Sequence, residues 1–301
     1  MSEMLEALHP PPAQVARPMP PALFLLGCGI VALSLAMMVV GPWIVPFDPG
    51  RPGPDIGMAP PSLGALPALA WAVLRGLPHA PVHWFGTDET GLDVFSRVVA
   101  ASRTDVAIAV GANAVSLAFG SLLGLAAGTA RPFVAGLLMR VSDLLQAFPV
   151  FITGMILVTM AGRSELTIVL ALALLYTPIY IRLTRAEVLA QRHRGFVDAA
   201  RALGRTELWI ALRHILPNAL TPALIQASVT IGLAILMTAG LSFVGAGVRP
   251  PTPEWGLMIA DGSNLMVQGE WWPSLFPGVA ISFTVFGYAC FSNGLERYCA
   301  R

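Results

Sequence analysis

The sequence predicts an all-α polytopic membrane protein with six transmembrane helices. Three observations lead there. Only 12% of the 301 residues are charged, about half the ~25% usual for a soluble domain. Mean hydropathy is +0.71. Six long intervals carry no charge at all, and a bilayer core needs about 20 apolar residues as helix.

The first interval, Arg17 to Asp48, encloses 30 uncharged residues and is apolar from Ala22 to Val45. It assigns residues 1–21 to a tail and 22–47 to the first helix. Leu25-Leu26-Gly27-Cys28 has the look of a lipoprotein cleavage box. The apolar run continues well past Cys28, however, so an uncleaved helix is expected. Ile56 to Leu74 is also uncharged but holds Pro60, Pro61 and Pro67. Proline costs about 3 kcal/mol inside a helix, so residues 48–103 are expected to form an extramembrane segment.

The other five helices are expected within residues 104–301. Asp105 to Arg131 encloses 25 uncharged residues, Asp143 to Arg163 encloses 19, and Glu165 to Arg182 encloses 16. Arg213 to Arg249 encloses 35, and Glu270 to Glu296 encloses 25. The 16-residue interval makes only about 24 Å of helix, and Arg182 can snorkel to extend it. Seven arginines fall between Arg182 and Arg213. Basic loops stay inside, which places this loop in the cytoplasm and, with six spans, both termini with it.

All 18 basic residues are arginine. Without lysine the chain has no Walker A phosphate loop and no Schiff-base nucleophile. There is no HExxH, no GxSxG and no clustered Ser/His/Asp set. The three cysteines fit neither a disulfide framework nor a metal site. Pro81 breaks the helical face that His79 and His83 would need to bind a metal. Low charge also argues against a nucleic-acid binder.

The basic loop carries the most specific pattern. Residues 195–204 read Gly-Phe-Val-Asp-Ala-Ala-Arg-Ala-Leu-Gly. Asp198 suits the first turn of a helix, Ala199, Ala200, Ala202 and Leu203 propagate it, and Gly204 stops it. A second helical run from Thr206 to Ile215 leads to Pro217. Small residues allow another surface to approach, and arginines such as Arg201 supply fixed donors. By composition alone this is an arginine-rich interfacial helix.

Asp198-Ala199-Ala200-x-x-x-Gly204, closed by Ile215-Leu216-Pro217, resembles the EAA loop of ABC-importer permeases, with aspartate in place of glutamate. His83 to Arg97 resembles the "GTDxxGRDVFSR" segment of the dipeptide/oligopeptide/nickel permeases, with Leu92 where arginine is usual. Phe243 to Gly256 resembles their "LGVQPPTPxWG" segment. The C-type subunit fits best. The resemblance implies a type I ABC-importer permease fold in the bacterial cytoplasmic membrane and no catalysis on this chain. It further implies a second homologous permease subunit, two cytoplasmic ATPases that bind ATP and Mg, and an extracytoplasmic binding protein. Loop 185–217 would couple to an ATPase through Asp198, Ala199, Ala200, Arg201, Gly204 and Pro217. The implied cargo is a di- or oligopeptide, with nickel or another small solute as the alternative. A secondary transporter working alone is the competing class; neither an internal repeat nor a carboxylate at a span midpoint is seen.

Several further residues are candidates. Gly120, Gly124 and Gly128 form a GxxxGxxxG stripe that packs either on this chain's own helices or on a partner permease. Asn113, Gln226 and Thr230 could line a pathway or bond between helices. Asp88, Glu89, Asp93 and Trp255 could meet the binding protein, while Trp271 and Trp272 suit an interfacial aromatic belt.

Overall fold

The computed structural model describes residues 21–52, 57–62 and 82–299. Residues 1–20, and most of the uncharged stretch Ile56 to Leu74, lie outside them. Eleven helical elements matter: α1 (Pro21–Ile44), α2 (Val94–Thr129), α3 (Pro132–Gln146), α4 (Val150–Ala161), α5 (Glu165–Gln191), α6 (Gly195–Ala202), α7 (Glu207–Ile210), α8 (Leu216–Ala219), α9 (Thr221–Phe243), α10 (Trp255–Ser263) and α11 (Trp272–Cys299). A π-helical turn, Ala211–Ile215, joins α7 to α8, and a 3₁₀ turn, Met266–Gln268, precedes α11. The one bridge outside helices among the described residues pairs Thr87 with Asp93.

Five helices (α1, α2, α5, α9 and α11) are long and apolar enough to cross a membrane, and the α3–α4 pair makes a sixth if it is one span. The expected third helix is therefore not continuous. α3 and α4 meet at 88°, and the expected interval, 144–162, holds all of α4 but only the last three residues of α3. The physical cause is Pro149. It donates no N–H, and it disfavours the α conformation for Phe148 before it. A search for charge-free intervals does not see that break. At 12 residues, α4 alone reaches about 18 Å, short of a ~30 Å hydrocarbon core.

α2 also begins earlier than the charge pattern indicates. The Asp93 side chain accepts from Ser96 N at 2.7 Å and caps its first turn. The 36-residue helix then runs about 54 Å through Arg97 and Asp105, both buried. α5 starts on a comparable cap, Ser164 accepting from Thr167 N at 3.2 Å, and continues to Gln191 rather than ending at Arg182.

The core is shared by α2, α5, α9, α10 and α11. Val106, Ile108, Leu172, Ile235, Leu241 and Trp255 lie within it. The most extensive helix pair is α2 with α5. The glycine stripe lies in that contact, inside this chain. A Cβ on Gly120 would stand 2.5 Å from Tyr180 Cβ and 2.8 Å from Thr177 O. On Gly124 it would stand 2.8 Å from Ile181 O, and on Gly128 2.5 Å from Val188 Cγ1. The absence of side chains lets the two backbones approach. Gly120→Ala should therefore cost about 1–3 kcal/mol by overpacking and lower the melting temperature of the purified protein. Gly136→Ala, with nothing within 4 Å, should not lower it, and by helix propensity should raise it slightly. Equal melting temperatures for the two variants would disprove the close approach.

Candidate functional site: the loop between α5 and α9

The loop is built as a rigid hairpin of helices. α6 stops in a Schellman arrangement: Gly204 N donates to Arg201 O at 2.9 Å, and Arg205 N donates to Ala200 O at 3.2 Å. Gly204 takes φ +74°, in the left-handed region where a Cβ is penalised. Thr206 then caps α7 by accepting from Trp209 N at 3.4 Å. Arg201 ties the two helices together. Its Nε and Nη2 donate to Glu207 Oε1 and Oε2 at 2.7 and 3.2 Å, and its Nη1 donates to Asp198 Oδ1 at 3.0 Å. The forked, bidentate geometry fixes the angle of the hairpin. Arg201 holds the Glu207 carboxyl below the usual carboxylate range.

The inner face of this hairpin is apolar. Val197 and Ala200 of α6 pack with Ile210, Ala211, Ile215 and Ala219 onto Leu125 of α2 and Val188 of α5. Arg192 Nη1 adds a bond to Gly128 O at 3.3 Å. The loop is thereby seated on the C-terminal ends of the glycine-packed pair. Its outer face is open, with Asp198, Ala199, Ala202, Leu203 and Gly204 all exposed. Leu203 is 80% and Leu208 70% exposed, an apolar surface suited to another protein. Beyond it, the Arg205 guanidinium lies 4.7 Å over the Trp209 ring and Trp209 packs edge-on to His214 at 4.9 Å. Pro217 is exposed in the first turn of α8. The preceding turn widens to π geometry, with Leu216 N donating to Ala211 O, and Asn218 Nδ2 donates to His214 O at 2.7 Å. π turns recur at functional sites.

The opposite end of the bundle is held by carboxylates. Asp93 is 3% exposed; besides capping α2, its Oδ1 lies 2.8 Å from His83 Nδ1. Trp255 is 3% exposed. Its backbone N donates to Asp105 Oδ2 at 3.0 Å and its indole N–H to Val98 O at 2.9 Å. Neither Asp93 nor Trp255 presents a surface to a binding protein, because both are spent inside the chain. Asp88 is half-buried and Glu89 exposed. Glu254, fully buried, accepts from Gly256 N and Leu257 N at 2.9 and 2.6 Å. The first three N–H groups of α10 thus point at two buried carboxylates, Asp105 and Glu254. The charge pattern marks Asp105 as a span boundary; it lies inside α2, so a long helix does carry an internal carboxylate.

The pathway candidates are also engaged. Asn113 is 5% exposed and Thr230 fully buried. The Tyr180 hydroxyl donates to Asn113 Oδ1. Thr230 Oγ1 donates to Gln226 O at 3.0 Å. Asn113 joins α2 to α5, while Thr230 and Gln226 bond within α9.

Comparison with known proteins now decides the family. The binding-protein-dependent transport system inner membrane component family matches residues 120–298. The chain belongs to this family. The D,D-dipeptide transport permease DdpC of Escherichia coli, a protein named as probable in that role, is 36% identical over 267 residues, 89% of this chain and 83% of that protein. The di/tripeptide transport permease DppC of Pseudomonas aeruginosa is 35% identical over 270 residues, 90% and 85% of the two chains. The dipeptide transport permease DppC of Alkalihalophilus pseudofirmus is 38% identical over 214 residues, 71% and 70%. The fold is similar to that of a chain of the inward-facing MetNI methionine ABC transporter: TM-score 0.55, 17% identity, 68% of this chain and 97% of that one.

As an inner-membrane transport component, the chain is a permease subunit rather than an enzyme, and its family implies ATPase and binding-protein partners. Sequence reading found the loop and its stop glycine. It missed Glu207, though an arginine and a glutamate six residues apart around a stop glycine are a usable signal for a clamped turn.

Two outcomes are expected. Gly204→Ala forces an L residue into the left-handed region at about 1–2 kcal/mol. Hydrogen exchange at the amides of positions 204 and 205 should therefore rise by about tenfold; unchanged exchange would rule out the Schellman stop. The Arg201–Glu207 clamp acts through a depressed carboxyl, so its contribution is complete above the ordinary glutamate range and is lost as pH falls through the lowered value. Protease resistance of the loop should be flat between about pH 6 and 8 and decline only on acidification. Glu207→Gln should be loose at every pH.

Proposed function

We propose that this chain is one of two homologous permease subunits of an ATP-driven peptide importer, with both termini and the α6–α8 loop in the cytoplasm. One observation carries the proposal: an exposed small-residue helix, α6, locked by Arg201 and Gly204 and seated on α2 and α5. α6 inserts into a partner ATPase, which binds ATP and Mg and performs hydrolysis. Asp198, Ala199 and Leu203 form the contact. Motion of the ATPase reaches α2 and α5 without loss because the hairpin is clamped against them. The two long helices then tilt against the second permease and open the pathway by turns to either side, an alternating-access cycle. A binding protein outside delivers the cargo, and Glu89 is an exposed point for it to touch.

A di- or oligopeptide is the cargo best supported, since the relatives carry dipeptide and tripeptide names across most of this length. Nickel is the competing solute, and the same assay separates the two. The reconstituted importer should take up a labelled dipeptide only with ATP and binding protein present. Gly204→Pro cannot adopt φ +74° and should abolish that uptake while membrane insertion persists. Purification without any ATPase, or uptake without ATP, would refute the proposal. ATP-driven uptake of nickel but not of peptide would overturn the cargo.

A further inference from the structure

A cavity of about 210 Å³ opens at the end of the bundle away from the loop. Asp88, Glu89 and Leu92 line one side, Pro250 and Pro251 another, and Met258, Asp261 and Leu265 a third, with Arg97 among them. Three carboxylates face one guanidinium there, leaving an excess of negative charge. Asp88 is fixed: its Oδ1 accepts from Thr90 N at 2.9 Å, Thr90 Oγ1 at 2.7 Å and Leu92 N at 2.9 Å. Arg97 is 5% exposed, and its Nε meets no acceptor. The Asp88 Oδ2 oxygen is 3.9 Å away, beyond hydrogen-bond reach. Burial pushes the Asp261 carboxyl up, Arg97 opposes that, and Glu89 and Asp88 add to it. The rim is short of a second cation, and Arg97 Nε of a hydrogen-bond acceptor, its ion pair with Asp88 being 3.9 Å long.

One chemical group supplies both at adjacent atoms. The first residue of a peptide carries an ammonium and, across a single Cα, a carbonyl oxygen. We propose that this cavity receives the amino-terminal end of a peptide, the ammonium held by Asp261 and Glu89 and the first carbonyl oxygen by the Arg97 guanidinium. Leu92, Met258 and Leu265 offer apolar contact to the first side chain. The volume is below the ~300 Å³ lower range of drug-sized sites, which suits one or two residues rather than a long chain. The inference rests on the peptide reading of the preceding subsection, and it adds a site on the permease itself, separate from the binding protein.

The test uses the whole importer in lipid nanodiscs with binding protein omitted. The probes are trialanine and N-acetyl-trialanine at millimolar concentration, read by saturation-transfer NMR. Trialanine should give a saturable signal, and acetylation, which removes the charge, should weaken it by at least about tenfold, as expected for a charge-assisted bond. Asp261→Asn and Glu89→Gln should each weaken trialanine to a similar degree. Leu92→Arg places a guanidinium in the cavity and should abolish the signal, whereas Leu92→Met should keep it. An unaltered elution volume of each complex separates these effects from misassembly. Equal binding of both probes, or trialanine binding unchanged in Asp261→Asn and Leu92→Arg, would overturn the site. ATP-driven uptake of trialanine in the same preparation, with binding protein restored, reports independently on the peptide reading: uptake without direct binding removes the cavity alone.

Discussion

The close approach of α2 and α5 governs the rest of the molecule. Three glycines one turn apart, Gly120, Gly124 and Gly128, bring the two backbones together along the C-terminal half of both helices. Apolar burial drives little association between helices in lipid, since the lipid is as apolar as the side chains. Contact distance and internal polar bonds must do that work. The Tyr180–Asn113 bond lies beside the stripe, and the 3.3 Å approach of Thr184 Oγ1 to Ser121 Oγ adds a second link across the pair. Because the helices are held from α5's middle to its end, a displacement applied at one end is carried along both.

The α6–α8 hairpin sits where that displacement would be applied. Its apolar inner face closes over Leu125 and Val188, so it belongs to the same body as the pair. Its own shape is set by a few local bonds: the Gly204 stop, the Thr206 cap and the Arg201 fork. Arginine rather than lysine suits this last place, since a planar fork engages both oxygens of Glu207 while leaving Nη1 for Asp198. At the far end, α10 is pinned to α2 by the bonds of Trp255 to Asp105 and Val98 and is capped by Glu254. Packing and capping thus divide the labour: packing makes the rod, and caps fix what is attached to its ends.

Much of this was legible in the sequence, for identifiable reasons. Charge-free length marks a span wherever lipid and water alternate, and α1, α9 and α11 follow it closely, while α5 overruns its interval to Gln191. The loop helices were legible because Gly204, Thr206 and Pro217 are local signals whose meaning does not depend on the fold. The misplaced start of α2 has the opposite cause. Arg97 and Asp105 are charges that face the protein interior, and composition cannot tell a charge in water from one in a core. The α3–α4 break escaped because Pro149 lies in an interval with no charge. Asp93 and Trp255 were read as surface residues from their place near spans, whereas their partners, Ser96 N and Asp105, became visible only once the chain was folded. Which helix receives the glycine stripe is likewise a tertiary fact: GxxxGxxxG specifies closeness, not the neighbour.

The central claim is that the hairpin and the α2–α5 pair move as one body. Spin labels placed at Ala202 on α6 and Ala186 on α5, both exposed, in an importer whose native cysteines are replaced, measure this by pulsed electron resonance. One narrow distance, the same in the resting and ATP-bound states, is the predicted result. A distance that shifts or broadens when ATP binds would show that the hairpin swings on its own, and would contradict the account.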